Sequence, residues 1–156
     1  MEQYAQKFLD TLNWYRKISF KLIDEIPAEY MHQQISSRSL QPACQLVDLG
    51  DFHLRVAHLI DPNADQVERP NPDTATPQEI KDYISKTQKV LETVLMVIED
   101  KENFTITWFD RMTFNFPDVL SFVLAHEAMH HGELMSFIYD KDLPMPKAFT
   151  ETWGMC

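Results

Sequence analysis

Apolar side chains recur at steps of three and four residues along four separate stretches of this chain. In the first stretch the recurring positions are Phe8, Leu12, Tyr15, Ile18, Leu22 and Ile26. This spacing places side chains on one face of an α-helix, and such a face is buried against another element. Four helices of about 20 residues each predict an all-α fold, a four-helix bundle. A chain of 156 residues has room for one such core, so we expect a single domain over residues 1–156.

Prolines and polar segments mark the ends of the predicted helices. The helices are expected at Glu2–Ile26, Pro42–Asp61, Thr76–Glu99 and Pro117–Tyr139. The third begins with Thr76-Pro77-Gln78-Glu79, a capping box with proline at the first helical position. Residues 103–116 are aromatic and β-branched, which predicts a short strand or an irregular, ordered loop before the fourth helix. The tail, residues 143–156, is expected to lie against the bundle.

Composition excludes several classes of function. Only 3 glycines are present, and neither GxGxxG nor GxxxxGKS/T occurs, which excludes dinucleotide and P-loop phosphate sites. The 14 basic and 24 acidic residues give a formal charge of −10, which argues against a nucleic-acid partner. Charged residues interrupt every apolar run before about 18 residues, so we expect no membrane span. With no signal-peptide pattern, and with Cys44 and Cys156 expected to be free thiols, we expect a cytoplasmic protein.

The fourth helix carries the residues with the clearest chemistry, in the stretch Leu124-Ala-His-Glu-Ala-Met-His-His-Gly-Glu-Leu134. His126 and His130 are four residues apart, so their imidazoles lie on one helical face, one turn from each other. Apolar residues share that face, which points the pair into the bundle and predicts that both histidines bind one metal ion. We expect His131 at the surface or behind the ligands. Glu127 is a candidate base that would hydrogen-bond a metal-bound water, or simply a solvated charge.

A third metal ligand is expected from the second helix, because catalytic metal sites commonly have three protein ligands and one open position. The apolar positions of that helix centre near His53, whereas Asp48 lies at the margin of the apolar face. Periodicity therefore favours His53 as the third ligand, with Asp48 as the alternative. His32 and His58 are expected on the surface.

These residues resemble the DinB/YfiT-like superfamily of four-helix-bundle metalloproteins. Members carry one histidine on the second helix and an HxxxH pair on the fourth, followed by a glycine and a polar-apolar pair. The matching positions here are His126, His130, Gly132, Glu133 and Leu134. Because glycine inside a helix costs about 1 kcal/mol relative to alanine, we expect Gly132 where helices pack closely near the metal.

The resemblance and the periodicity disagree about the third ligand. The family's lead-in to its first histidine resembles Pro42-Ala-Cys-Gln-Leu-Val47, which places that histidine at Asp48. Aspartate also binds zinc or nickel through oxygen, so either residue permits a site. Loss of metal binding through the aspartate at position 48 is the third alternative.

The resemblance implies a divalent metal, zinc or nickel, facing an open cavity. Characterised relatives include transferases and isomerases that use low-molecular-weight thiols such as bacillithiol or mycothiol. A bound metal lowers the pKa of a thiol and presents the thiolate to an electrophile. The expected partner is therefore a small-molecule substrate, with transfer of a thiol as the expected reaction.

Two other classes of function remain open from the sequence. His126-Glu127-Ala-Met-His130 also satisfies HExxH, the motif of zinc peptidases, with Glu127 as base and Glu151 as a distant third ligand. A non-enzymatic bundle is the other alternative, with structural histidines or adventitious metal. In that protein the aromatic residues of 103–116 would fill the core or form a homodimer contact.

Overall fold

The computed structural model describes residues 2–36, 39–108 and 112–154 of the protein. The helices are α1 (Glu2–Glu25), α2 (Pro42–Ile60), α3 (Pro77–Val97), α4 (Phe116–Asp140) and α5 (Lys147–Trp153), and the strands are β1 (Thr105–Trp108) and β2 (Met112–Asn115). Helices α1 to α4 end within two residues of the predicted bounds. The prediction of a helical fold with a strand-like segment before the fourth helix is confirmed. A short 3₁₀ turn at Ala28–Tyr30 follows α1.

Capping boxes begin two of the helices. At α3 the predicted box is present: the backbone amide of Glu79 donates to Thr76 Oγ1 at 3.2 Å, and Glu79 Oε2 accepts from the Thr76 amide at 2.8 Å. A second box, which the sequence analysis missed, joins Asn115 and Asp118 at the start of α4. Both boxes satisfy backbone amides that have no partner inside the helix, so the starts of α3 and α4 are set locally.

Strands β1 and β2 form an antiparallel hairpin in which Thr105 pairs with Asn115 and Trp108 with Met112. In β1 the alternate residues Ile106 and Trp108 are buried, as expected for a strand with one face on the core. Phe109, part of the predicted aromatic segment, lies outside the described residues. The hairpin therefore covers one end of the bundle and directs a tryptophan into it.

Two apolar clusters fill the bundle, and a layer of buried polar residues lies between them along the helices. One cluster contains the C-terminal part of α1, the N-terminal parts of α2 and α3, and Phe149 of α5. The other contains the opposite parts of these helices, the start of α4 and the hairpin. The intervening buried polar residues include Arg16, Ser19, His53, Thr87, Gln88, Glu127, His130 and His131. Every candidate ligand histidine lies in or beside this layer.

The tail and the glycines complete the packing. Ala148 and Phe149 of α5 are buried, so this part of the tail lies against the bundle as predicted. At Gly50 an added Cβ would stand 2.5 Å from Tyr83 Cε1, so this glycine permits the close contact of α2 with α3. The expectation for Gly132 is wrong, because a Cβ built there meets no atom of another described element within 4 Å.

Cys44 forms no disulfide within the described residues, whereas Cys156 and the side chain of Trp153 lie outside them. Among the described helices, none is long and apolar enough to cross a membrane.

Candidate metal centre

Asp48 of α2 meets the histidine pair of α4. Its Oδ2 atom is 3.0 Å from His130 Nε2 and 3.3 Å from His126 Nε2. One candidate ligand atom from each of the three residues lies within 4.8 Å of the others. Two imidazoles and one carboxylate therefore converge on a common point, which is the arrangement that a three-ligand metal site requires.

The three side chains differ in their access to solvent. The Asp48 side chain is 39% exposed, whereas His126 is 13% exposed and His130 is 2% exposed. The histidines form the inner wall of the site, and the carboxylate lies at its edge. A ligand that binds beside the three residues can thus approach from the Asp48 side.

Each histidine has its own supporting contact. His130 Nδ1 is 2.8 Å from Glu133 Oε2, one turn further along α4. When Nδ1–H donates to this carboxylate, the ring is held with Nε2 towards Asp48. The His126 ring stacks on Phe52 of α2 with centroids 3.9 Å apart and an interplanar angle of 10°. Both imidazoles are therefore oriented by residues outside the ligand set.

The close contacts shift the pKa values of these groups in opposite directions. Hydrogen bonds from His126 and His130 hold the pKa of Asp48 well below its ordinary value. Burial opposes protonation of His130, but the contacts with Asp48 and Glu133 outweigh it and raise the pKa of this histidine. Asp48 is thus an anion at neutral pH, so its carboxylate can accept hydrogen bonds or bind a cation.

His53 belongs to a different cluster, although the sequence analysis favoured it as the third ligand. Its side chain is 1% exposed, as the periodicity predicted, but its Nε2 lies 3.0 Å from Glu127 Oε1 and 3.3 Å from Arg16 Nη2. It is not among the three residues whose ligand atoms converge. The third position beside the histidine pair is instead occupied by Asp48, the alternative, because His53, five residues further along α2, meets Glu127 of α4 and Arg16 of α1.

Glu127 is neither a solvated charge nor adjacent to the convergent atoms. Its side chain is 1% exposed and accepts from Arg16 Nη2 at 2.8 Å. Burial alone would raise the pKa of Glu127, but Arg16 and His53 lower it to about 2. A carboxylate held in this way does not fit a general base for a metal-bound water, which removes the main residue of the peptidase interpretation. The other, Glu151, instead pairs with Lys21 at the surface.

The remaining histidines divide between the interior and the surface. His131 is 3% exposed and its Nε2 is 2.9 Å from Ser19 Oγ, so the expected surface position is wrong. Burial lowers the pKa of His131 to about 4. His32 is exposed as predicted, while His58 is partly buried and contacts the Ala64 carbonyl.

Sequence reasoning missed Arg16, although its position was informative. Leu12, Arg16, Ser19 and Ile23 are spaced four, three and four residues apart, so Arg16 and Ser19 occupy interior positions of α1. An arginine at such a position predicts a buried anion on a neighbouring helix. Glu127 is that anion.

The fold and this centre define a class, a helical bundle with a candidate histidine and aspartate metal site between its second and fourth long helices. The DinB family model matches residues 1–140, and the chain belongs to this family. The predicted resemblance is thereby confirmed.

A solved structure of a DinB-like protein, YjoA from Bacillus subtilis, has the same fold. The similarity has a TM-score of 0.62 at 17% sequence identity, and it covers 92% of this chain and 95% of that chain. No curated protein matches the sequence.

Proposed function

We propose that Asp48, His126 and His130 bind one divalent metal ion and leave a coordination position for a small molecule. The observation that carries the proposal is the convergence of their three ligand atoms within 4.8 Å. Two imidazoles and one carboxylate suit zinc or nickel, and one carboxylate leaves a net positive charge on the loaded centre. That charge favours an anionic ligand such as a thiolate.

The proposed reaction is transfer of a low-molecular-weight thiol, of the bacillithiol type, to an electrophile in the cytoplasm. When bound, the metal lowers the pKa of a coordinated thiol, so that thiolate is available near neutral pH. Asp48 and the two histidines hold the ion, and Glu133 accepts from His130 Nδ1–H. Membership of the DinB family and the exposed Asp48 edge support access by a small substrate.

Without metal, we expect His130 to donate a proton from Nε2 to Asp48 Oδ2, since the two atoms are 3.0 Å apart and the pKa of His130 is raised. A metal that binds to these atoms must displace this proton. Metal binding is therefore expected to release protons and to tighten as the pH rises.

Metal analysis of protein purified without a histidine tag tests the ligand set. Wild type and His53→Ala are expected to retain about one zinc or nickel ion per chain, whereas Asp48→Ala and His126→Ala lose it. His53→Ala is the matched control, because it removes a buried imidazole of the same helix. Metal retained in Asp48→Ala and lost in His53→Ala would overturn the ligand set in favour of His53.

A conjugation assay tests the reaction. The metal-loaded protein should accelerate conjugation of a low-molecular-weight thiol to monochlorobimane, in which the thiolate displaces chloride, and His126→Ala should remove that acceleration. Stoichiometric metal without any acceleration across a panel of thiols would contradict thiol transfer and favour a metal-binding protein without this activity.

A further inference from the structure

Two adjacent residues of α2 contact two adjacent residues of α4 beside the candidate metal centre. The Phe52 ring stacks on His126, and His53 Nε2 lies 3.0 Å from Glu127 Oε1. One helical turn before Phe52, Asp48 contacts His126 again. The three contacts therefore require the same alignment of α2 with α4, although only the last of them joins candidate ligands.

Glu127 also joins α4 to the two other long helices. Its Oε1 accepts from Arg16 Nη2 of α1 at 2.8 Å, and Arg16 Nε donates to Gln88 Oε1 of α3 at 2.8 Å. One buried carboxylate is thus connected, directly or through Arg16, to α1, α2 and α3. Because His126 is the preceding residue of α4, any rotation of the helix at Glu127 also moves this candidate ligand.

The network is poorly suited to a purely stabilising role. Desolvation of a buried ion pair offsets much of its attraction, and apolar replacements of similar volume are often neutral or stabilising. Within the described part of the chain, Arg16 Nη1, His53 Nδ1 and Glu127 Oε2 are buried without a protein hydrogen-bond partner. Such atoms add a further desolvation cost to the network. A role in alignment explains the arrangement better than a role in stability.

We propose that Glu127 is a positioning residue of the metal centre. By holding α4 against α1 and α2, it aligns His126 and His130 with Asp48. The proposal rests on the proposed metal site and adds a residue that touches none of its candidate ligand atoms. It also predicts that stability and metal affinity can be separated by substitution.

Three variants test this separation. Zinc affinity is measured by competition with a chromogenic chelator, coordination by the visible spectrum of the cobalt-loaded protein, and stability by urea unfolding. Glu127→Leu should weaken zinc binding ten- to a hundredfold, alter the cobalt spectrum and lower the urea midpoint. Glu127→Gln retains an oxygen acceptor for Arg16 and should restore part of the affinity. Glu127→Leu combined with Arg16→Met should regain the midpoint without regaining affinity.

Leu22→Ala is the matched control, since Leu22 is fully buried in the apolar cluster that contains the C-terminal part of α1. It should lower the urea midpoint but leave zinc affinity and the cobalt spectrum as in wild type. Wild-type affinity in the double variant, or an equal loss of affinity in Leu22→Ala, would overturn the positioning role alone. Wild-type protein that binds no zinc would overturn the proposed metal site itself, and with it this role.

Discussion

Two clusters of carboxylate and imidazole lie between α2 and α4, and they differ in what completes them. In one, Asp48 contacts His126 and His130, and the carboxylate is 39% exposed. In the other, Glu127 contacts His53 and the guanidinium of Arg16, and the carboxylate is 1% exposed. The same types of side chain at similar distances therefore lie in two different environments.

The difference shows how a cation and solvent access decide the role of a carboxylate. Arg16 already neutralises Glu127, so a divalent ion at that place would meet a like charge. Asp48 instead faces two imidazoles, and in the proposed site their deprotonated Nε2 atoms would bind the metal. The first cluster therefore suits the proposed metal site, whereas the carboxylate of the second already has a cation as its partner.

The largest effect is expected when the second cluster, which contains Glu127, His53 and Arg16, is disrupted. Arg16→Met leaves Glu127 buried without its cation, so the free energy of unfolding should fall by about 3–5 kcal/mol. Asp48→Asn should cost no more than about 1 kcal/mol, because the carboxylate is partly solvated. Urea unfolding of the metal-free proteins measures both, and equal losses would contradict the distinction between the clusters.

The pH dependence of stability separates the two inward-facing histidines at positions 130 and 131. Burial lowers the pKa of His131 from 6.5 to about 4, so the unfolded chain binds this proton first as the pH falls. The contribution of His131 to the free energy of unfolding is therefore complete above pH 6.5. It falls by roughly 3 kcal/mol as the pH decreases towards 4. His130 contributes to stability with the opposite pH dependence, because its pKa is raised in the folded protein. Its contribution to the free energy of unfolding is greatest below the ordinary pKa of histidine and is lost as the pH rises through the raised pKa.

His131→Phe should therefore flatten the acid limb of a plot of urea-derived stability against pH for metal-free protein. His130→Phe is the control and should leave that limb in place. An unchanged acid limb in His131→Phe would contradict the assignment of this proton to His131.

Added metal should stabilise the protein through the first cluster alone. Zinc at a hundredfold excess over its Kd should raise the free energy of unfolding of wild type by about 2.7 kcal/mol. This increment should be absent in Asp48→Asn and His126→Ala, whose ligand sets are incomplete. Thermal unfolding with and without zinc measures it. A full increment in Asp48→Asn would remove the aspartate from the ligand set.

The smallest expected effect concerns the support of His130 in the first cluster. Glu133→Ala removes the acceptor for His130 Nδ1–H and should weaken zinc binding about tenfold, equivalent to about 1.4 kcal/mol. Glu133→Gln keeps an acceptor oxygen and should lose less. Asp140→Ala removes an exposed carboxylate from the same helix and controls for net charge. Equal losses in Glu133→Ala and Asp140→Ala would indicate a long-range charge effect instead of orientation.

The positions of the helices could be predicted because their causes are local. The three- and four-residue spacing in α1 and the Thr76–Glu79 capping box act within a few residues of chain. The pairing of His126 with His130 is local in the same sense, since one helical turn brings the rings to a centroid distance of 4.6 Å. The DinB resemblance depended on this histidine pair together with Gly132, Glu133 and Leu134.

The third residue of the candidate metal site could not be predicted in this way. Asp48 and His53 lie five residues apart on α2, and each meets a histidine or a carboxylate of α4 at about 3 Å. Periodicity places His53 correctly in the interior but does not say which residues of the neighbouring helices it meets. Gly132 shows the same limit, because no atom of another described element lies within 4 Å of its Cβ position.

The sequence by itself determined the helices, the capping box formed by Thr76 and Glu79, and the face shared by His126 and His130. The tertiary structure decided that Asp48 joins this face and that Glu127 meets Arg16 instead. The physical reason is range: hydrogen bonds and side-chain spacing within a helix span a few residues, whereas these two choices depend on how α1, α2 and α4 are rotated against one another. Packing of the whole core sets those rotations.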